Sequence, residues 1–307
     1  MANRRMRNGK KRKEVKMEKW FLGCLAVAAA GLMVACGTDG EGKNETESVK
    51  STEMEETVKS SAEGEETAGE TEGEQQEVTI LVAAAASLKY SYDEQLIPMF
   101  TEKYPWIHVE GTYDSSGKLQ TQIEEGMEAD IFMSAAMKQM NDLEKNGYVD
   151  EEDVVKLLEN KIVLVVPQGE EDGFTSFEDI TKADSIALGD PESVPVGQYA
   201  KESLTNLGIW EEVEAKTSFG TNVTEVLNWV AEGSADAGIV YATDAATTNQ
   251  VSVVAEAPAS SLGEPVIYPV AMINRSSHEE AAQLFVEFLQ SEEAMAVFEE
   301  YGFSPAS

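Results

Sequence analysis

Val78-Thr79-Ile80-Leu81-Val82-Ala83-Ala84-Ala85-Ala86-Ser87-Leu88 reads as a strand that runs into a helix with almost no loop between them. Val78 to Val82 is a short apolar run rich in β-branched residues, the pattern of a buried strand. A helix over Leu88 to Tyr104 follows, stopped by Pro105. The alanines between the two let another group approach the backbone closely. Ser87 presents a hydroxyl and an N–H at the start of the helix, where it either caps that helix or donates to an anion.

The same alternation continues outward from this junction. Ile107, Val109, Gly111 and Tyr113 alternate with polar residues as a half-buried strand does, and a helix is expected over Gly117 to Glu125. Asp130 to Met133 is a strand, Met137 to Lys145 a helix ended by Asn146-Gly147, Glu151 to Leu158 a helix, and Ile162 to Val166 a strand. Ser176-Phe177-Glu178-Asp179 has the form of a capping box. Ser185 to Leu188 is a strand, and Gly197 to Asn206 a helix closed by Gly208. Val223, Val226, Leu227 and Val230 make the apolar stripe of an amphipathic helix. Strands at Gly238 to Tyr241, Val251 to Ala255 and Val266 to Ile273 precede helices at Ser277 to Leu289 and Ala294 to Glu299. Repeated βα units predict a mostly parallel sheet with helices on both faces. Such sheets bind ligands beyond the carboxyl ends of their strands, at helix N-termini.

The N-terminal end is of a different kind. Nine basic residues within the first nineteen precede an uncharged run from Trp20 to Ala35. That run is shorter than the ~20 apolar residues of a membrane span and reads as a secretory signal. It ends in Leu32-Met33-Val34-Ala35-Cys36-Gly37, which resembles a bacterial lipoprotein box, so residues 1–36 are assigned as a lipoprotein signal and Cys36 as the lipidated residue. Cys24 would leave almost no apolar run ahead of a cut. Residues 37–77, rich in Glu, Thr, Ser and Gly, cannot bury enough apolar surface to offset their ordering entropy, and are expected to form a disordered acidic tether.

Composition excludes several classes. The chain has 57 acidic and 23 basic residues; after Cys36 there remain 55 and 14, a formal charge of −41. Nucleic acid is a poor partner for such a surface. An anion would have to be held by local dipoles, the mean field being screened beyond ~8 Å at physiological salt. Cys24 and Cys36 are the only cysteines, and His108 and His278 lie far apart, so no free-metal site and no cofactor is expected. There is no nucleophile elbow, P-loop or zinc signature, and the chain is not expected to be an enzyme. A hydrolase built on Ser87 would have only Lys89 as a nearby base.

Three further junctions resemble the first. Tyr113-Asp114-Ser115-Ser116-Gly117-Lys118-Leu119 opens a helix with a Ser-Ser-Gly turn. Gly189-Asp190-Pro191-Glu192-Ser193-Val194-Pro195-Val196-Gly197 leads from strand to helix, and Phe219-Gly220-Thr221-Asn222-Val223 enters the amphipathic helix. Each taken alone is ordinary turn chemistry. Four of them, where an α/β sheet keeps its ligands, favour an anion site.

Ala84-Ala85-Ala86-Ser87-Leu88, Ser115-Ser116, Ala129-Asp130-Ile131-Phe132-Met133-Ser134-Ala135, Gly189-Asp190-Pro191-Glu192, Gly238-Ile239-Val240-Tyr241, Tyr268-Pro269-Val270-Ala271 and Tyr301-Gly302-Phe303 occur in this order. The set resembles the molybdate-binding proteins of ABC transporters across residues 78 to 303. The resemblance implies a two-lobed type II periplasmic-binding-protein fold, each lobe a mostly parallel sheet flanked by helices, with the ligand in the cleft between lobes. Lobe 1 would comprise 78–161 and 268–307, and lobe 2 would comprise 162–267. Carried over by motif position, Ser87 and Ser116 would donate from one lobe, and the N–H groups of Val196 and Val223 with the Tyr241 hydroxyl from the other. Lys89 and Lys118, beside the two serines, would bring positive charge near the anion. Asp130, Asp190 and Asp244 read as turn and cap residues.

The implied function is capture of molybdate or tungstate outside the cytoplasm, on the outer face of the membrane through Cys36, for delivery to an ABC transporter permease, with the protein a monomer. A sulfate-like oxyanion, or an extracytoplasmic anion sensor of the same fold, is the alternative. A shell made only of donors would also reject hydrogen phosphate, whose proton would face no acceptor.

Overall fold

The computed structural model describes residues 76–306. The expected signal, the lipidation position Cys36 and all of the expected tether before Gln76 lie outside the described residues.

Eleven strands are described: β1 (Val78–Ala85), β2 (Ile107–Asp114), β3 (Ile131–Met133), β4 (Val155–Asn160), β5 (Ile162–Pro167), β6 (Ile186–Gly189), β7 (Thr217–Gly220), β8 (Ala237–Tyr241), β9 (Val251–Glu256), β10 (Val266–Met272) and β11 (Ser304–Pro305). They form two sheets, in the orders β11-β4-β10-β3-β1-β2 and β7-β6-β8-β5-β9. The α/β class with two lobes holds. The pairing is more mixed than repeated βα units imply. β1 runs parallel to β2 and β3, and β6 to β7 and β8, while β10, β4 and β11, and likewise β5 with β8 and β9, pair antiparallel. Parallel neighbours need a crossover, usually a helix. β5 and β10 instead enter from the opposite sheet, and nothing obliges them to run with their neighbours.

β1 is buried from Val82 to Ala85, which is why it lacks the alternation of a half-exposed strand. The helix after it is continuous but uneven: a 3₁₀ turn at Ala86–Leu88, α-helix at Lys89–Ser91, a π-type turn at Tyr92–Leu96 and α-helix at Ile97–Lys103. Tyr104, preceding Pro105, leaves the helical region at φ −129°, ψ 71°. Residues Glu151 to Leu158 are not the expected helix. A 3₁₀ turn at Glu151–Asp153 leads into β4, whose Leu157 and Leu158 are both buried. Apolar positions 154, 155, 157 and 158 suit either period over so short a run, and antiparallel pairing with β10 decides for the strand.

The chain crosses from the first sheet to the second through Lys161 alone and returns between Glu256 and Val266. The first sheet therefore takes up the chain at Val266, ahead of the expected crossing at Tyr268. Buried polar groups gather at this crossing. Asn160 Nδ2 donates to Thr243 Oγ1 at 2.9 Å and to the Tyr268 hydroxyl at 3.2 Å. Asp244 follows Thr243, is buried, and has an Oδ2 without a partner among the described residues. It lies in the first turn of the Ala242–Ala246 helix, but as a core carboxyl, which the expected turn or cap role does not disclose. Burial pushes its pKa up to about 8.

An acid raised in this way contributes fully to stability below its unfolded value of 3.8, and that contribution is lost as pH rises through about 8, because the unfolded chain ionises first. Asp244→Asn cannot ionise. In thermal melts between pH 5 and pH 9 the variant should gain on the wild type as pH rises, by about 3 °C or more at pH 8. A difference that does not vary with pH would contradict a neutral buried carboxyl.

Candidate functional site

One small cavity, about 10 Å³ in volume, lies where the two sheets face each other. That is on the order of the room one water-sized sphere needs. From the first sheet's side it is lined by Ala85, Ala86, Asp114, Ser115, Ser116 and Ala135; from the second by Val194, Pro195, Val196, Val223 and Tyr241. The register explains the first group. β1 and β2 end level, with Ala85 opposite Asp114, so the chain leaves both strands at one place and starts a helix from each.

Ser116 is the first residue of the Ser116–Glu124 helix and is fully buried. Its Oγ accepts from the Ala135 N–H at 3.0 Å, which leaves its own O–H free to donate. Val196 is the second residue of the Pro195–Asn206 helix, after a proline that has no N–H, and Val223 is the first of the Val223–Ala231 helix. N–H groups in a first turn have no intrahelical acceptor, and the helix dipole makes them attractive to negative charge. Asn222 caps the last of these helices, accepting from the Glu225 N–H at 2.9 Å. Gly197 is needed where it stands: a Cβ there would lie 2.1 Å from the Gly189 carbonyl oxygen, so only glycine lets this helix seat against the end of β6.

Tyr241, at the end of β8, is buried, and its hydroxyl donates to the Ala135 carbonyl at 3.0 Å across the cavity. Burial holds the phenol neutral by pushing its pKa well up. Ser87 does not line the cavity. It is half-buried beside it, with its Oγ 3.0 Å from the Tyr268 hydroxyl, while Ala85 and Ala86 occupy the wall. Four of the five residues named from the sequence thus face one cavity, and the fifth stands next to it.

Three groups escaped sequence reasoning. Asp114 brings a carboxylate to the wall, so the lining is not made of donors only. Its Oδ1 accepts from the Ser115 N–H at 2.7 Å, from Lys118 Nζ at 3.2 Å and, more weakly, from Asn222 Nδ2 at 3.4 Å. The second is Ser115, whose Oγ is buried without a partner among the described residues. The third is the Ala135 backbone, whose N–H donates to Ser116 Oγ and whose carbonyl accepts from Tyr241. Asp114 was legible in principle, since β1 and β2 share a register that ends at this residue; Ala135 closes the Ala129–Ala135 stretch, but that stretch does not single out its backbone. The lysines do not act as expected: Lys118 pairs with Asp114, and Lys89 with Asp93, so each cation is neutralised by a carboxylate four residues away.

Further contacts join the two sides. The Gly117 N–H donates to the Ser193 carbonyl at 3.0 Å, and Gln139 Nε2 to Gln198 Oε1 at 3.1 Å. A Cβ on Gly117 would stand 2.4 Å from the Ser193 oxygen, so this approach requires glycine.

Comparison with known proteins places the chain in a family. Residues 80–304 match the bacterial extracellular solute-binding proteins. Over 230 residues the chain is 41% identical to the "Putative ABC transporter substrate-binding lipoprotein YvgL" of Bacillus subtilis, covering 75% of this chain and 88% of that one. It is 35% identical over 233 residues to the molybdate-binding protein ModA of Haemophilus influenzae, covering 73% and 89%. The fold is that of the periplasmic molybdate-binding protein of Azotobacter vinelandii, with a TM-score of 0.67 at 22% identity over 74% of this chain and all of that one. The chain belongs to the bacterial extracellular solute-binding protein family, whose members bind solutes for transport and are not enzymes.

Proposed function

We propose that this chain captures a tetrahedral oxyanion, molybdate or tungstate, between two lobes and delivers it to the permease of an ABC transporter. The lobes are those expected from the sequence, 78–161 with 268–307 and 162–267, with the second boundary moved to Val266, where β10 joins the first sheet. The observation that carries the reading is the convergence of helix N-termini and hydroxyls from both sides on one small cavity, with no unpaired cation among the residues lining it. An anion that must later be released is better held by directed neutral donors than by fixed cations. A hydrogen bond to a charged group is worth ~1.5–3 kcal/mol, so several together support tight binding after desolvation. Ser116, the N–H groups of Val196 and Val223, and the hydroxyls of Tyr241 and Ser87 are the donors we assign. Tyr241 would give up the Ala135 carbonyl for the anion, gaining the difference between a neutral and a charged acceptor. Relatives named for molybdate binding support the choice of ligand.

Because donors come from both lobes, the anion binds the closed arrangement best and shifts the population toward it. The protein acts as a monomer, held at the outer face of the membrane by a lipid on Cys36, with residues 37–77 as spacer. Two acyl chains on that cysteine would supply the anchoring that one chain does not. Asp114 bears on discrimination. Its Oδ1 is engaged by three donors, while its Oδ2 has one long contact, to Lys118 Nζ at 3.5 Å, so a response to phosphate would assign this carboxylate as the proton acceptor.

The test is a thermal-unfolding series on the purified protein with molybdate, tungstate, sulfate, phosphate and buffer alone. A ligand at 100 times its dissociation constant adds ~2.7 kcal/mol, a rise of several degrees. We expect that rise with molybdate and tungstate and none with phosphate; a rise with sulfate alone would favour the sulfate-like reading, and no rise with any anion would refute oxyanion capture. Gly117→Ala should weaken molybdate binding at least ~10-fold in titration calorimetry while the melting temperature in buffer stays level or rises, since alanine favours a helix. Wild-type affinity in that variant would mean that the Gly117–Ser193 approach is not part of binding.

A further inference from the structure

Ser115 occupies the N-cap of the Ser116–Glu124 helix but does not cap it. A serine in that place ordinarily turns its oxygen onto an N–H of the first turn. Here the side chain makes no such bond, and Oγ has no partner among the described residues although Ser115 is only 4% exposed. The residue's other polar atoms are satisfied: its N–H donates to Asp114 Oδ1 at 2.7 Å, and its carbonyl accepts from the Leu119 N–H at 3.1 Å. Both bonds fix the backbone, so the hydroxyl cannot drift far. It lies in the wall of the cavity, beside Ser116 and opposite Val196 and Tyr241.

A buried hydroxyl that neither caps its helix nor meets an acceptor is costly, and native proteins keep few of them. We infer that Ser115 is a further oxyanion donor, its hydroxyl completing the shell that Ser116 begins. The anion supplies the acceptor that the protein withholds. Adjacent serines at one helix start then give two hydroxyls and the N–H of Ser116 to one side of the ligand. This inference rests on the oxyanion reading proposed above and adds to it a residue that the motif-based transfer passed over. Asp114 then has a positive role as well. By accepting the Ser115 N–H it orients the donor, while Lys118 balances its charge.

Titration calorimetry with molybdate on the wild type and on Ser115→Ala, paired with melting temperatures in buffer alone, tests the assignment. The expected result is affinity about 10- to 100-fold weaker in the variant, the range for losing one bond to a charged acceptor. Its melting temperature without anion should be unchanged or higher, because an unpartnered polar group has been removed. Affinity within two-fold of wild type would overturn the inference and leave the oxyanion reading standing. Weaker affinity with an equal loss of stability in buffer would also overturn it, by assigning the hydroxyl a structural role. A wild type that binds none of molybdate, tungstate or sulfate would sink both.

Discussion

Ala135 is held at both of its backbone polar atoms, its N–H by Ser116 from its own side of the cavity and its carbonyl by Tyr241 from the other. Ala135 follows β3 almost directly, the Ser116–Glu124 helix starts where β2 ends, and Tyr241 is the last residue of β8. The backbone of one residue, through two successive amides, therefore ties together three elements from two sheets. A phenol has a single proton to give, so on the proposed function an anion in the cavity would compete with the Ala135 carbonyl for Tyr241, whereas the Ser116 hydroxyl would serve both without conflict. Binding and the contact between the sheets would then be linked through that one proton.

Around this residue the structure relies on what is missing from side chains. Gly117 permits the approach to Ser193, and Gly197 lets the Pro195–Asn206 helix seat on Gly189. Alanines at the end of β1 leave the cavity wall thin. The result is a site made mainly of backbone and hydroxyl donors in a protein of strongly acidic composition. Its attraction for an anion arises over a few ångströms from fixed dipoles, inside the distance at which salt screens the acidic surface. The lysines near the site do not alter this, because each is paired with its own carboxylate.

Much of this is legible in the sequence, and the reasons differ by element. Strong periodicity makes the Val223–Ala231 helix readable, and the Ser176–Asp179 capping box is formed as its motif implies. β4 reads wrongly as a helix because four apolar positions fit a helix as well as a strand, and only its partner β10 resolves them. β7 is four residues long with Ser218 and Phe219 exposed, so it carries no apolar signature and exists through its pairing with β6. At the site, motif position brings Ser116, Val196, Val223 and Tyr241 to notice, and all four line the cavity. Asp114, Ser115 and Ala135 stand inside stretches that the sequence marks, but their place in the wall emerges only from the packing that brings β2, β3 and β8 together. Asp244 is the sharpest case: its neighbours in sequence suggest a turn, and only the packed crossing between sheets reveals a buried acid.

A crystal of the protein grown with molybdate, with diffraction recorded at the molybdenum absorption edge, locates the anion directly. One anomalous peak is expected in the cavity between Ser116 and Tyr241, within hydrogen-bonding reach of the N–H groups of Val196 and Val223. A peak elsewhere on the molecule, or no peak at saturating molybdate, would contradict oxyanion capture in this cavity.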